Sequence, residues 1–381
     1  MPWKDKTVEE LRKEFIEAAS EEKANVSALC REFGISRVTG YKWLNRFEEG
    51  ENLSDRSHRP DRIPNKTSES VERAILTLRA EHPKWGAKKI LKVLADHGLS
   101  DLPCVKTCSN ILKRNGMIQP EESEKHQAFQ RFEKERCNEL WQTDFKGEFL
   151  LGNGRKCFPL DIIDDCSRAC LGIIAKPNTI GIRDDFERIF REYGLPNSIL
   201  SDNGVQFAGF KLGLTQFERW LMDLDITPIH GKLKHPQTQG KIERFHRSMK
   251  AELLNGTTFP DLETAAAALE EWRIRYNEER PHEALGQRYP AEVYTKSQRG
   301  FPDVIKPYEY SRDYPLIKVN NWGYLRFDRI SVYIGQTMEN TRLEVRPNGD
   351  NSFAVCYRNY QIGEFDADEQ KLKNRKIVRL S

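Results

Sequence analysis

Residues 140–175 read LWQTDFKGEFLLGNGRKCFPLDIIDDCSRACLGIIA, and three runs within them have the composition of strands: Leu140–Leu151, Cys157–Asp164 and Ala169–Ala175. Gly152-Asn153-Gly154 between the first two is a strong hairpin signal, and Asp165-Cys166-Ser167-Arg168 is a polar turn between the second and third. Connections this short make neighbouring strands antiparallel. Downstream the pattern changes to a helix at Ile182–Tyr193, a short strand at Ser198–Ser201, and helices at Leu214–Leu224 and at Gly240–Leu253. Pro260-Asp261 then opens a further helix, Leu262–Tyr276, whose Leu269, Trp272 and Tyr276 are spaced to cover a core. Three antiparallel strands followed by alternating helix and strand is the order of an α/β, RNase H-like core.

Within this region, His235–Leu253 carries two patterns at once. Ile242, Phe245, Met249 and Leu253 recur every three or four residues and form an apolar stripe. Glu243 falls outside the stripe, with His246, Arg247 and Lys250 on its own face. A lone carboxylate among cations also occurs on solvated helices, so this stretch by itself leaves a functional and a solvated reading open.

The N-terminal third is helical. Val8, Leu11, Phe15 and Ala18/Ala19 make one amphipathic face and Val26, Leu29 and Phe33 a second. Gly34-Ile35-Ser36 is a tight turn with Ser36 as N-cap, and Val38, Tyr41, Leu44 and Phe47 are expected to face inward on the third helix. This is a helix-turn-helix pattern, and Arg37, Thr39, Lys42 and Arg46 are its outward candidates for DNA contact; a protein-binding three-helix bundle has the same periodicity. The basic linker 50–68, with Arg59 and Arg62, reads either as an arm along DNA or as a plain solvated segment. Residues 69–118 repeat the helical logic as a second helix-turn-helix, possible winged, with Lys88 and Lys89 on a basic surface. The expected domains are 1–49 and 69–118 as the two modules, 119–138 as a charged helical spacer, 139–295 as the core, and 296–315 as a linker. Beyond it, six short strands between Asn321-Trp322-Gly323, Gly335 and Asn348-Gly349-Asp350 fit an all-β, SH3-like small barrel at 316–381.

The composition agrees with a multidomain protein that handles a charged polymer. The 381 residues are 31% charged with a net charge of only +3, but Gly231–Lys250 holds six Lys/Arg against one acid and Leu76–Ile118 eight against three. No window approaches the roughly 18–20 apolar residues of a membrane span, and Met1–Glu14 is charged throughout, so a cytoplasmic protein without membrane contact is expected. Of eight cysteines, Cys104/Cys108 and Cys166/Cys170 have a ligand-like step but no second pair at finger spacing, so reduced, buried thiols are the better reading.

Two further acids stand where chemistry is expected. Asp144 lies in the first core strand, within Trp141-Gln142-Thr143-Asp144-Phe145, and Asp202 ends the short strand in Ser201-Asp202-Asn203-Gly204. With Glu243 they put three carboxylates on three elements. Converging carboxylates repel unless a cation neutralises them, and hard oxygen donors select Mg²⁺ or Mn²⁺. Two such ions, about 4 Å apart, activate an oxygen nucleophile and stabilise the leaving oxygen of a phosphodiester.

The chain resembles the DDE integrase/transposase superfamily, and most of all the transposases of bacterial insertion sequences. The resemblance rests on Trp141-Gln142-Thr143-Asp144, Ile163-Asp164-Asp165-Cys166-Ser167-Arg168, Tyr193-Gly194-Leu195-Pro196, Ser201-Asp202-Asn203-Gly204, the stretch from His235-Pro236-Gln237 to Glu243-Arg244-Phe245-His246, and Tyr276-Asn277 with Arg280-Pro281-His282. It is dense over Leu140–Tyr294 and loose in the flanking modules. It implies that Asp144, Asp202 and Glu243 bind the metals and that the reaction is DNA strand cleavage and transfer. It also implies double-stranded DNA as partner, a homo-oligomer when bound to it, and a bacterial, nucleoid-associated setting. One departure is the 41-residue step from Asp202 to Glu243, wider than is common among retroviral integrases, which a loop near Phe210–Thr215 can absorb. Lys241, Arg244, Arg247 and Lys250 are expected on DNA phosphate, and Asn203, Gln206 and Gln239 on the substrate beside the cleaved bond. His235 and His246 are candidates for moving protons or, more plainly, for structural or phosphate contacts. Asp161, Asp164 and Asp165 are the competing acids, with turn formation as their simpler role. A regulator with an inactive core and a hydrolytic nuclease without joining activity are the alternatives.

Overall fold

The computed structural model describes residues 7–21, 24–55, 66–118, 134–208, 213–231, 240–349, 351–368, 371–373 and 377–380, and divides into two units, Met1–Lys66 and Thr67–Ser381. The first unit packs α1 (Val8–Ala19), α2 (Val26–Glu32) and α3 (Arg37–Glu48), started by the side-chain caps Thr7, Asn25 and Ser36. The inward face of α3 differs from the expected one. Val38, Tyr41 and Phe47 are 81%, 51% and 53% exposed, whereas Gly40 and Trp43 are buried. The cause is close approach: a Cβ on Gly40 would stand 2.4 Å from Cys30 Sγ and 2.9 Å from Phe15 Cζ, so α3 turns its smallest residue toward its neighbours. Trp43 fills the space beside it, with the guanidinium groups of Arg12 and Arg46 at 3.8 and 4.8 Å from its ring. On α1, likewise, Phe15 and Ile16 are buried while Val8 and Leu11 are exposed. Leu53 joins this core, and Arg12 bonds to the Leu53 carbonyl and to Asp55.

The second unit begins with α4 (Glu69–Glu81), α5 (Ala87–Asp96) and α6 (Val105–Arg114), packed through Ile75, Ile90, Cys108 and Ile111. No strand occurs in residues 66–118, so this module has no wing. Arg59 and Arg62, and most of the expected spacer (residues 119–133), lie outside the described residues.

The core sheet contains β1 (Trp141–Phe145), β2 (Phe149–Leu150), β3 (Lys156–Asp164), β4 (Cys170–Lys176), β5 (Ser198–Ser201) and β6 (Thr227–His230). β3 runs antiparallel to β1, β2 and β4, and β5 and β6 lie parallel to β1. The expected first strand is thus two pieces, interrupted at 146–148, where Gly147 has φ +89°. β6 was not anticipated; Pro228, its second residue, is tolerated because β6 is an edge strand. Side chains alternate along the strands, so two separate cores form. Ile162 packs with Trp141, Ile199 and the aromatic residues Phe186, Phe190, Phe217 and Trp220 of α7 (Ile182–Tyr193) and α8 (Gln216–Asp223). Ile163 packs on the other face against α9 (Gly240–Met249) and α10 (Leu262–Glu278), through Ile242, Phe245, Met249, Leu269, Trp272 and Tyr276. The stripe read from the sequence is therefore the buried side of α9, with Leu253 partly buried in a π-helical turn, Lys250–Leu254.

After α11 (Pro290–Val293), residues 296–315 are tied down at their start. Leu195 N donates to the Arg299 carbonyl at 2.6 Å, Ser297 N to the Tyr193 carbonyl at 2.9 Å, and Phe301 packs against the first core. The C-terminal region is sheet-rich: β7 (Leu316–Lys318), β8 (Tyr324–Phe327), β9 (Ile330–Tyr333), β10 (Arg342–Pro347), β11 (Ser352–Tyr357), β12 (Tyr360–Asp366), β13 (Leu372–Lys373) and β14 (Val378–Arg379). The expected SH3-like barrel does not close among the described residues. The ladder runs β13-β12-β11-β10-β7 with β14 on β12, and β8 and β9 pair only with each other. Leu325 and Val332 of that hairpin meet Val345, Val355 and Phe365 through side chains, so apolar packing covers the sheet where hydrogen bonds do not. Met222 of α8 enters the same cluster, and the Tyr360 hydroxyl donates to Asp225 at 3.3 Å, which fastens this sheet to the core. No helix among the described residues is long and apolar enough to cross a membrane.

Candidate active site

The register of the central strands brings two of the three expected acids together. Gln142 pairs with Leu200 across the parallel β1/β5 ladder, so Asp144 and Asp202, each two residues further on, come level at the C-terminal ends of adjacent strands. Asp144 is directly opposite Asp161 on β3. Burial pushes the Asp144 carboxyl up to about 6; His246 opposes the shift, and the negative charges of Asp202 and Asp161 add to it. Asp202 Oδ1 accepts the Gly204 N–H at 2.9 Å, and Asn203 Nδ2 donates to the Gly231 carbonyl at 2.9 Å, which fastens the turn to the end of β6. A Cβ at Gly204 would stand 2.5 Å from Gln206 Nε2 and 2.9 Å from Asp202 Oδ1, so a side chain there must displace one of these two termini. Behind Asp202, His230 bridges Ser201 Oγ, 3.1 Å from Nδ1, and Glu218 Oε1, 2.8 Å from Nε2. That bridge was not anticipated, since His230 lies on the unforeseen strand.

Glu243 is on the exposed side of the first turn of α9. The turn is held to β1, because Ile242 N donates to Gln142 Oε1 at 3.3 Å. Among the described residues no group of three acids, histidines or cysteines stands close enough to hold a metal ion, so Asp144, Asp202 and Glu243 do not converge as a set of three. The oxygen donors at Asp144 and Asp202, with the charge repulsion that raises Asp144, fit a hard divalent cation. The cysteine pairs do not make a site: all eight thiols are free, and Cys108 and Cys170 are wholly buried.

His246, three residues beyond Glu243, points inward. Its Nε2 is 2.7 Å from Asp161 Oδ2 and its Nδ1 is 4.0 Å from Asp144 Oδ2. Asp161 is fully buried, and neither of its oxygens accepts a well-directed hydrogen bond. Burial raises its carboxyl, against the opposing effect of His246. Asp164 shapes the turn after β3 by accepting Ser167 Oγ at 2.7 Å and Asn138 N at 2.8 Å.

The expected DNA contacts fall into three groups. Arg37, Lys42, Arg244, Arg247 and Lys250 are exposed. Thr39 bonds to Ser36, Arg46 pairs with Glu51 at 3.0 Å, Lys88 pairs with Glu283 at 2.6 Å, and Lys241 pairs with the buried Asp165. Lys89 is lowered to about 7 by burial, with Arg280 adding to the shift. His235 and Gln239, like residues 209–212 of the loop expected to absorb the longer spacing, lie outside the described residues.

This α/β core, with an acid at the end of each of two adjacent parallel strands, lies in residues that match a known family. Residues 134–236 and 224–290 match the integrase core domain family, 11–61 the helix-turn-helix domain family and 39–112 the homeodomain-like domain family. Over residues 134–290 the chain is similar to the integrase core domain family, and the relatives it resembles are proteins of bacterial insertion elements. The insertion element IS407 uncharacterized 31.7 kDa protein of Burkholderia multivorans is 30% identical over 161 residues, 42% of this chain and 56% of that one. Transposase InsD for insertion element IS2 of Escherichia coli is 27% identical over 230 residues, 56% of this chain and 74% of that one. The chain spans about half the length of the IS407 protein and of its Xanthomonas euvesicatoria counterpart from IS476, at 56% and 44%. The HTLV-2 integrase catalytic core domain, solved in complex with magnesium, aligns with a TM-score of 0.32 and 17% identity over 42% of this chain and 97% of that one.

Proposed function

We propose that this chain is a transposase that binds the ends of an insertion element and catalyses metal-dependent DNA strand cleavage and strand transfer. The observation that carries the reading is the pairing of Asp144 and Asp202 at the ends of adjacent strands, with Asp144 raised to about 6. In this reading Asp144, Asp202 and Glu243 would hold one or two Mg²⁺ or Mn²⁺ ions, with Glu243 contributed by the first turn of α9. The ions, when bound, supply neutralisation of the phosphodiester and activation of the attacking oxygen. The protein's part is positional. β1 and β5 fix two carboxylates, Asn203 and Gln206 face the substrate beside them, and the exposed Arg244 and Arg247 of α9, with Lys250 in the π-helical turn that follows, grip phosphate. The modules at 1–49 and 69–118 take the element ends, with Arg37 and Lys42 of α3 exposed for that purpose. Double-stranded DNA is the partner, and holding two ends together calls for a homo-oligomer. The setting is the bacterial cytoplasm, at the nucleoid.

The test is to incubate purified protein with Mg²⁺ or Mn²⁺, labelled element-end DNA and a target plasmid. Joined products are expected, and both cleavage and joining are expected to disappear in Asp144→Asn and Glu243→Gln. Nicks without joined products would make the chain a nuclease, and binding without either a regulator. Activity that survives both substitutions would overturn the metal assignment.

A further inference from the structure

Lys241 is paired with the core. Its ammonium pairs with the carboxylate of Asp165, which is fully buried, and also donates to the Asp165 carbonyl at 3.1 Å. The other carboxylate oxygen accepts Gln142 Nε2 at 2.7 Å, and Lys134 N donates to the same side chain at 2.9 Å. Gln142 then uses its amide oxygen to accept the Ile242 N–H at 3.3 Å. One buried carboxylate and one amide thereby join three elements: β1, the turn after β3, and the first turn of α9. Gln142 is two residues before Asp144 on the same strand, and Lys241 is two residues before Glu243.

We infer that Lys241, Asp165 and Gln142 form a positioning clamp that sets the start of α9 relative to β1, and so governs whether Glu243 can join Asp144 and Asp202. The inference rests on the reading of these three acids as metal ligands. It removes Lys241 from the set of DNA phosphate contacts. A side chain that is 15% exposed and paired with a buried carboxylate cannot turn to a phosphate without stranding that carboxylate in the core. Groups that orient metal ligands in this way typically govern metal affinity by about ten- to a hundredfold.

The experiment compares Lys241→Met, Lys241→Arg and Gln142→Leu with the full-length parent. Mn²⁺ binding is measured calorimetrically without DNA, and affinity for a plasmid-derived duplex of arbitrary sequence is measured over a range of salt. Lys241→Met is expected to weaken Mn²⁺ binding about tenfold, with recovery in Lys241→Arg and with duplex affinity and salt slope unchanged. Gln142→Leu keeps the ion pair and cuts the link to β1, so it must weaken Mn²⁺ binding in the same direction even if Lys241→Met fails to fold. Parental Mn²⁺ binding in either Lys241→Met or Gln142→Leu overturns the clamp. So does a duplex affinity that falls in Lys241→Met with a salt slope smaller by about one, the signature of a lost phosphate contact. A parent that binds Mn²⁺ only while Asp144 is intact, alongside unaffected variants, removes this inference alone; a parent that binds no Mn²⁺ removes the metal reading as well.

Discussion

His246 Nε2 stands 2.7 Å from Asp161 Oδ2, and Asp161 is the cross-strand neighbour of Asp144. The imidazole is the only side chain that approaches this buried carboxylate among the ion pairs of the described residues. Removing one partner of such a pair leaves an uncompensated polar group in the core. His246→Ala should therefore destabilise the protein by about 3 kcal/mol in urea unfolding, and Asp161→Asn in the same background should recover much of the loss. A His246→Ala protein as stable as the parent would show that the pair contributes nothing.

Asp144 gives a prediction for metal-free protein. A carboxyl raised from 3.8 to about 6 on folding binds its proton more tightly in the fold, so stability is full below about pH 4 and falls as pH rises toward 6. Asp144→Asn removes that loss. The variant should match the parent near pH 3.5 and exceed it at pH 7 by up to about 3 kcal/mol, read from thermal unfolding in chelator. A gain that is the same at both pH values would contradict the assigned shift.

Lys89 titrates in the opposite sense. Its ammonium is lowered from 10.5 to about 7, so folding expels a proton and the parent regains stability as pH rises between those values. Lys89→Met should raise the melting temperature at pH 6.5, with a gain that shrinks toward pH 10. Duplex affinity should not change, because Lys89 lies beside Arg280 and Glu252 of the core. A weaker complex with a shallower salt dependence would return Lys89 to the DNA surface.

Gly204→Ala tests the turn that carries Asp202. The added methyl must displace Gln206 Nε2 or Asp202 Oδ1, both of which are side-chain termini and move at little cost to the fold. Strand cleavage should fall by at least about tenfold for a misplacement on the ångström scale, with little change in melting temperature. Full activity in this variant would mean that the turn tolerates a different Asp202 placement.

On α3 the four expected contacts separate into different roles. Lys42 is exposed, so Lys42→Ala should weaken duplex binding and lower its salt slope by about one. Arg46 is engaged by Glu51, the Asn52 carbonyl and the Trp43 ring, so Arg46→Ala should instead lower the stability of the first unit. The reverse pattern would mean that the α3 surface is turned differently when DNA is bound.

What the sequence made legible follows from what is local. The hairpin turn at Gly152-Asn153-Gly154 and the apolar stripe of Ile242, Phe245 and Met249 are set by neighbours in the chain, and both occur as expected, although the strand before the turn is broken into β1 and β2. The rotation of α3 was not legible, because it depends on Gly40 meeting Cys30 and Phe15 from other helices. Nor was the role of Lys241: a lysine on a charged helix looks the same whether it faces phosphate or a buried Asp165, 76 residues away. Asp144 and Asp202 were legible as acids on strands, but their pairing follows from the parallel register of β1 and β5. The barrel was overread from correctly placed strands, since strand spacing does not fix which edges bond.

Pro228 has a meaning beyond its tolerance at the sheet edge. β6 has β5 as its strand partner, and a proline as its second residue leaves any strand approaching from outside one donor short. The sheet is thereby terminated on that side. A second copy of this chain is thereby discouraged from adding to the sheet at that edge.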